Sequence, residues 1–313
     1  TVTDNELPKI ICNLPINVNN DPGVCGAVVN YVAPVGTDNC SGANTIQTAG
    51  LASGATFPVG VTTNTFVVTD AAFNTATCSF TVTVTDNEAP VITCPPAQVF
   101  CKVSNNIYTI PALVATDNCG IITTSYAITL TVNGPTIRSG SGTDASGVFN
   151  IGVSIITWFV TDIHGHSSTC STTVTVQSPV IPGIIASDQI ICAGTAPVAF
   201  TSTSAGSGSG TMTYQWYVST DGTNYVLIPS ATGLTYQAGL LNADTWYRRE
   251  AKSTIGSTAC TANSNAVKVT VNPASVGGTV AGGSTICSGS TSGLLTLSGQ
   301  TGTVVKWQSS VSP

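Results

Sequence analysis

Phe80-Thr81-Val82-Thr83-Val84-Thr85-Asp86-Asn87-Glu88-Ala89-Pro90-Val91-Ile92-Thr93-Cys94 decides how this chain is read. From Phe80 to Thr85 apolar residues alternate with threonines, the pattern of a strand with one buried face. Asp86-Asn87-Glu88 makes an acidic turn, and Val91-Ile92-Thr93 starts another strand after Pro90. The same text opens the chain: nine of the twelve residues from Thr1 to Cys12 equal those from Thr83 to Cys94. The chain is therefore a tandem array, and Thr1 to Asn5 read as the tail of a preceding repeat.

Composition sets the class. Of 313 residues only 7% are charged, against ~25% in ordinary soluble domains. Threonine, valine, serine and glycine take their place, which favours strands and turns over helices. The net charge is −6 with eight Lys plus Arg. Nucleic acid and anionic lipid need clustered basic side chains, so neither is an expected partner. No apolar run approaches the ~20 residues of a membrane helix, so direct insertion is not expected, and no signal peptide stands at the start.

Working outward, the first module runs over residues 6–86. Ile10-Ile11-Cys12 reads as a strand, Asn19 to Gly23 as a turn, Cys25 to Val32 as a second strand, and Phe57-Pro58-Val59-Gly60 as a corner. Asn64 to Thr69 and Cys78 to Thr85 close it. The second module, 87–177, repeats the plan: Val114 to Cys119 echoes Val35 to Cys40, and Val160-Thr161-Asp162 precedes Cys170 as Val68-Thr69-Asp70 precedes Cys78. Its Gly/Ser-rich stretch from Asn133 to Gly147 reads as an extra hairpin. After the linker around Ser178-Pro179, a third module covers 178–272. Tyr214 to Val218 and Tyr225 to Ile228 form a hairpin about Asp221-Gly222. A fourth stretch, 273–313, repeats its start: Ile286-Cys287-Ser288-Gly289 matches Ile191-Cys192-Ala193-Gly194. About forty residues fall short of the ~100 of a sandwich, so this last repeat is expected to be incomplete.

The first two modules resemble the HYR (hyalin repeat) domain. The matching text is Pro-x-Ile-x-Cys at Pro8 and Pro90, Asp-Asn-Cys at Asp38 and Asp117, Pro-x-Gly at Pro58, and Val-Thr-Asp…Cys-x-x-Thr-Val-Thr-Val at Val68 and Val160. The family's usual Gly-Asn before the last cysteine is half kept in each copy, as Phe73-Asn74 and Gly165-His166. In the third module, Asp244-Thr245-Trp246-Tyr247 resembles the corner before strand F of immunoglobulin domains, with Arg249 where a cysteine usually stands. The resemblance implies an all-β chain of immunoglobulin-like sandwiches arranged as a rod. In style it looks like the giant secreted surface adhesins of Bacteroidota, exported by the type IX system. The function so implied is a non-catalytic stalk at the cell surface, reached through an oxidising compartment. Its partners would be neighbouring repeats, surface polysaccharide or the outer-membrane anchoring machinery. A carbohydrate-binding module and the accessory part of a secreted hydrolase are the alternatives.

Eleven cysteines carry the compartment argument, and none sits in a CxxC pair. Four cysteines allow three pairings. The expected set is Cys12–Cys25, Cys40–Cys78, Cys94–Cys101, Cys119–Cys170 and Cys192–Cys260, with Cys287 unpaired.

Candidate chemistry is sparse. The two histidines, His164 and His166, lie in a turn. A zinc pair there needs a third ligand from elsewhere, and no Gly-x-Ser-x-Gly elbow occurs. Gly140-Ser141-Gly142-Thr143-Asp144-Ala145 fits a loose dinucleotide fingerprint, but no helix pattern follows it. Asp86, Asn87 and Glu88 sit at a module joint, where calcium is the candidate ion. Calcium takes six to eight oxygens, so a polar turn guarding an edge strand is the competing reading. Trp216, Tyr217 and Trp246 are candidates for stacking on sugar, against a sandwich that wants a central tryptophan.

Overall fold

The structure, a computed structural model, describes residues 3–311. Thr1 and Val2 of the expected tail, and Ser312 and Pro313, lie outside the described residues. All regular elements among the described residues are strands. The chain divides into two compact units, Thr1–Val176 and Gln177–Pro313.

The first unit holds two sandwiches. The leading one contains β1 (Ile16–Asn19), β2 (Gly26–Val28), β3 (Asn44–Ala49), β4 (Thr56–Pro58), β5 (Gly60–Thr69) and β6 (Thr75–Thr85). One sheet has the order β1-β6-β5-β3, and β2 pairs with β4. The alternation read from the sequence is realised in β6: Phe80, Val82 and Val84 are buried with Phe66, Phe57 and Ala27, while the threonines face outward. The expected strand at Ile10–Cys12 is reduced to a single bridge, Lys9 with Thr37. Pro15 cannot donate to a ladder, and pairing starts after it, with β1 running parallel to β6.

The second sandwich contains β7 (Val91–Thr93), β8 (Gln98–Cys101), β9 (Ile107–Tyr108), β10 (Val114–Thr116), β11 (Ile121–Thr129), β12 (Thr136–Ser141), β13 (Gly147–Val148), β14 (Gly152–Asp162) and β15 (Ser167–Gln177). Its main sheet has the order β12-β11-β14-β15-β8. The Gly/Ser-rich stretch supplies β12 as an added edge strand, so the Gly140-Ser141-Gly142 text ends a strand and opens no helix. Trp158 is fully buried among Ile128, Ile156 and Val174, and its Nε1 donates to the Thr143 carbonyl at 3.2 Å.

The cysteine pairing differs from the expected one. Cys12 bonds Cys78 and Cys94 bonds Cys170, with Cα atoms 5.6 and 5.9 Å apart. This replaces Cys12–Cys25, Cys40–Cys78, Cys94–Cys101 and Cys119–Cys170. The reason is the strand period. Cys78 lies on the same face of β6 as Phe80 and Val82, so it points at the core on which Cys12 also packs. Cys94 and Cys170 repeat this against the second core. Cys25 bonds Cys119 of the next sandwich, with Cα atoms 4.7 Å apart. Among the described residues Cys40, Cys192 and Cys287 are free, exposed thiols.

The second unit carries a sandwich of β16 (Ile184–Ile185), β17 (Gln189–Cys192), β18 (Ser202–Ser204), β19 (Thr211–Ser219), β20 (Val226–Leu227), β21 (Thr245–Ile255), β22 (Thr258–Asn263) and β23 (Val267–Asn272). Its main sheet runs β17-β23-β21-β19-β20, with β22 also on β21. The expected Cys192–Cys260 bond does not form, because register separates the two residues. Cys192 pairs with Asn272, at the end of β23 lying beyond Thr245 of β21, whereas Cys260 pairs with Ser253. Thr245 and Ser253 are eight positions apart on one strand, which is about 27 Å at ~3.4 Å per residue. A hairpin of β24 (Thr279–Ala281) and β25 (Thr296–Ser298) follows.

Candidate functional site

The joint between the two sandwiches of the first unit gathers most of the polar side chains that the sequence singles out. It is built from three turns. In the first, Asp21-Pro22-Gly23-Val24, Pro22 presets φ and Gly23 takes φ +72°, as a type II turn requires. The Val24 amide closes it on the Asp21 carbonyl at 3.0 Å. Asp21 Oδ2 accepts from the Val28 amide at 2.8 Å, which places Cys25 at the edge facing the next sandwich.

The second turn is the acidic linker. Asp86 is buried, and its Oδ1 accepts from the Glu88 amide at 3.1 Å. The Asn87 amide donates to Asn20 Oδ1 at 3.0 Å. Both Glu88 carboxylate oxygens accept from the Gly23 amide, at 3.0 and 3.1 Å. The linker is thus fastened to the turn that precedes Cys25.

The third is the β14–β15 turn. Asp162 Oδ1 accepts from the His164 and His166 amides at 2.8 and 2.9 Å, and Gly165 takes φ +97°. Asp162 Oδ2 meets His166 Nδ1 at 2.9 Å, and His164 Nδ1 meets Asp86 Oδ2 at 2.9 Å. Burial by itself raises the Asp162 pKa. Hydrogen bonds from His166 and from the turn amides outweigh that and hold it below the ordinary carboxylate value.

Opposite Cys25, Asp117 Oδ1 accepts from the Cys119 and Gly120 amides at 2.9 Å each. Asn118 Nδ2 donates to the Val24 carbonyl at 3.2 Å. Gly23 closes a cleft of about 300 Å³ lined by Glu88, Ala89, Val91, Thr116, Asp117 and Asn118. The disulfide, the Glu88–Gly23 contact and the Asn118–Val24 contact form one patch. The Cys25–Cys119 bond spans 94 positions of sequence and joins one sandwich to the next.

The expected calcium triplet, Asp86, Asn87 and Glu88, lies in this linker, and each residue takes part in a hydrogen bond there. The Asp86 and Glu88 oxygens already accept from protein donors. The groups nearest Asp86 include imidazole nitrogens: ligand atoms of Asp86, Asp162 and His166 lie within 4.8 Å of one another. That is a mixed nitrogen and oxygen set, whereas calcium takes an all-oxygen shell. Sequence reasoning missed Asn20, Gly23, Asn118 and the Cys25–Cys119 bond. The signal was available in the spacing: Cys25 follows Cys12 by thirteen residues and Cys101 follows Cys94 by seven, so Cys25 has no copy at the same place in the second module.

In the second unit the aromatic candidates do not converge. Trp216 is fully buried between Phe200 and Tyr236, and its Nε1 donates to the Gly233 carbonyl at 2.9 Å. It is core, which removes it from any sugar-stacking face. Tyr217 and Trp246 are half-buried on the other face, with the Arg248 guanidinium 5.7 Å from the Tyr217 ring and Lys268 Nζ 5.0 Å from the Trp246 ring. Tyr247 faces the core, where burial and then Tyr236 push its phenol up to about 12. Arg249, in the place of the missing cysteine, is fully buried. It donates to the Leu234 and Pro182 carbonyls at 2.8 and 3.2 Å and lies 4.7 Å from the Tyr214 ring. Hydrogen bonds from a guanidinium thus tie β21 to the loop segments at Leu234 and Pro182.

Tandem sandwiches with a fastened joint define a modular, repeat-built β protein. Residues 3–84 match the HYR domain family, and residues 181–273 and 276–312 match a family described as a domain of unknown function (DUF8696). The chain is 33% identical over 167 residues to a serine-rich adhesin for platelets of Staphylococcus aureus strain MSSA476, covering 49% of this chain and 7% of that protein. The corresponding adhesin of strain MRSA252 is 32% identical, over 49% of this chain and 12% of its own length. The chain thus spans a small fraction of the curated relatives it matches. Among solved structures, Drosophila N-cadherin EC1-4 aligns over 87% of this chain and 76% of its own at 15% identity and TM-score 0.32. Drosophila OTK extracellular domains 3-5 align over 68% and 71% at 11% identity and TM-score 0.40.

Proposed function

We propose that this chain is a non-catalytic spacer region of a secreted surface adhesin, a run of modules that carries load and holds other parts of a longer protein away from the cell. The observation that carries this reading is the joint. A linker whose Asn87 and Glu88 amides are both engaged, closed by a disulfide from one sandwich to the next, turns two modules into one mechanical element. Cys12–Cys78 and Cys94–Cys170 lock 66 and 76 positions of sequence inside their sandwiches. The HYR match and the similarity to a staphylococcal adhesin support an extracellular setting, as do the disulfides. Export by a type IX route is the finer part of the proposal. Single-molecule stretching of the chain tests the mechanics: reductant is expected to lengthen the contour released from the first two sandwiches. Equal contour lengths with and without reductant would overturn it. Deleting the segment from its parent protein on cells is expected to weaken adhesion under flow while leaving the binding tip intact.

One observation favours a second reading. A cleft of about 570 Å³ on the third sandwich is lined by Met212, Tyr214, Tyr217, Leu227, Glu250 and Lys252, a mix of rings and polar groups that suits carbohydrate. A glycan array probed with the chain and its Tyr217→Ala variant separates the two readings: signal lost with the variant supports carbohydrate binding, and a blank array supports the spacer.

A further inference from the structure

The leading edge of the first sandwich is a copy of the surface on which the second sandwich docks. Glu6, Leu7, Lys9, Thr37, Asp38 and Asn39 line a cleft of about 260 Å³, and they are the counterparts of Glu88, Ala89, Val91, Thr116, Asp117 and Asn118 at the joint. Local geometry repeats as well. The Glu6 amide donates to Asp4 Oδ1 at 3.1 Å, as Glu88 does to Asp86. The Cys40 amide donates to Asp38 Oδ2 at 2.8 Å, as Cys119 does to Asp117. Asp4 and Asp38 lie within 4.8 Å of the Cys40 sulfur, just as Asp86 lies within that distance of the Cys119 sulfur. At the joint, Gly23, Val24 and Cys25 of the preceding sandwich engage Glu88, Asn118 and Cys119. At the leading edge Glu6, Asn39 and Cys40 are all exposed, and Cys40 is a free thiol.

We infer that Glu6, Asn39 and Cys40 form a docking surface for the Asp-Pro-Gly-Val-Cys turn of another sandwich of this kind, and that Cys40 forms an intermodule disulfide with that turn's cysteine. The Gly amide of the incoming turn donates to the Glu6 carboxylate, Asn39 donates to the Val carbonyl, and the two sulfurs are then adjacent. Forming the bond removes two electrons and two protons from the two thiols. An external disulfide such as oxidised glutathione takes them up and leaves as two thiols. The Cys25 of a second copy of this chain is already spent on its own Cys119, so the occupant is a module whose cysteine is still free. The inference rests on the repetition of the joint and stands apart from the adhesion role, which the stretching and flow measurements test separately.

The test uses the whole chain with a second copy of residues 6–82 fused directly ahead of Thr1, the added copy carrying Cys40→Ser. After refolding in a glutathione redox buffer, thiols are alkylated and peptides mapped without reduction. Cys40 of the original chain is expected to be protected and linked to Cys25 of the added copy, whereas Cys40 of the unextended chain is alkylated. Cys25→Ser in the added copy is expected to restore alkylation of Cys40. Glu6→Ala with Asn39→Ala is expected to lower the linked fraction. The Cys25–Cys119 bond of the same molecule reports correct folding. Cys40 still alkylatable while that bond is present would overturn the inference.

Discussion

The edge around Asp86 and the edge around Asp4 are built to one plan, yet in the structure one is covered and the other open. Each has an aspartate whose side chain caps the turn before the last strand. Asp162 accepts from the amides of His164 and His166 at 2.8 and 2.9 Å, and Asp70 accepts from those of Ala72 and Asn74 at 2.8 Å each. The second oxygen meets His166 Nδ1 at 2.9 Å in one copy and Asn74 Nδ2 at 2.8 Å in the other. What differs is what reaches outward. At the covered edge His164 touches Asp86, and Cys119 is bonded. At the open edge Ala72 stands in the place of His164, and the hydrogen bond to Asp4 and then its charge hold the Cys40 thiol above its usual pKa. The frame of the turn therefore belongs to the module, and the side chains around it belong to the joint.

The largest expected effect separates module from joint. Cys12→Ser with Cys78→Ser should lower the unfolding free energy of the first sandwich by about 4 kcal/mol in denaturant titrations. Cys25→Ser with Cys119→Ser should leave both sandwiches near their original midpoints, since each keeps its internal bond, while the Gly23 amide exchanges faster. If the second pair of substitutions proved as costly as the first, the two sandwiches would be one folding unit.

Period and repetition made the fold legible. Phe80, Val82 and Val84 alternate with threonines, and that alternation alone placed β6 with its buried face. The duplicated Asp-Asn-Glu text located the joint. The cysteine partners were not legible, because strand proximity decides them and spacing does not. Treating each module as a closed set of four forced Cys25 and Cys119 onto local partners, and only the register of the folded sheets places them together across the joint. Likewise, nothing in the spacing places Asp86, seventy-eight positions from His164, within 2.9 Å of its ring. Trp216 shows the converse: a sandwich wants a central tryptophan, and packing against Phe200 makes Trp216 that residue.

Next in size is the capping aspartate. Asp162→Ala removes a buried acceptor that serves two amides and an imidazole, and should cost about 2 kcal/mol; Asp70→Ala should destabilise the first sandwich in the same direction. Both carboxylates have folded pKa values below the ordinary one, burial opposing and the turn hydrogen bonds outweighing it. Their contribution is complete above the unfolded value near 3.9 and is lost as pH falls through the folded value. Melting followed from pH 6 to pH 2 should show that loss, and Asp162→Asn should flatten the acid limb for the second sandwich alone. Below this comes the left-handed position of each turn. Gly165 sits at φ +97° without strain, while Phe73, exposed, sits at φ +69°. Phe73→Gly should stabilise the first sandwich by about 1 kcal/mol, and no gain would mean that the open edge holds Phe73 by contacts of its own.

The smallest expected effect is that of His164→Ala, which copies Ala72 into the covered edge. Alanine keeps the amide that Asp162 Oδ1 requires, as the 2.8 Å Ala72 contact with Asp70 shows at the other edge, so the turn stays closed. What is lost is the 2.9 Å contact to Asp86 Oδ2, made by an imidazole whose side chain is 30% exposed. Water can reach the vacated position, so the cost should stay within about 0.5 kcal/mol, with the Cys25–Cys119 bond still formed. The measurement is a denaturant midpoint together with a non-reducing peptide map. A loss above about 3 kcal/mol would mean that Asp86 is left as an uncompensated buried charge. The imidazole would then be part of what holds the two sandwiches together, and the two edges would differ in their framework and not merely in what covers them.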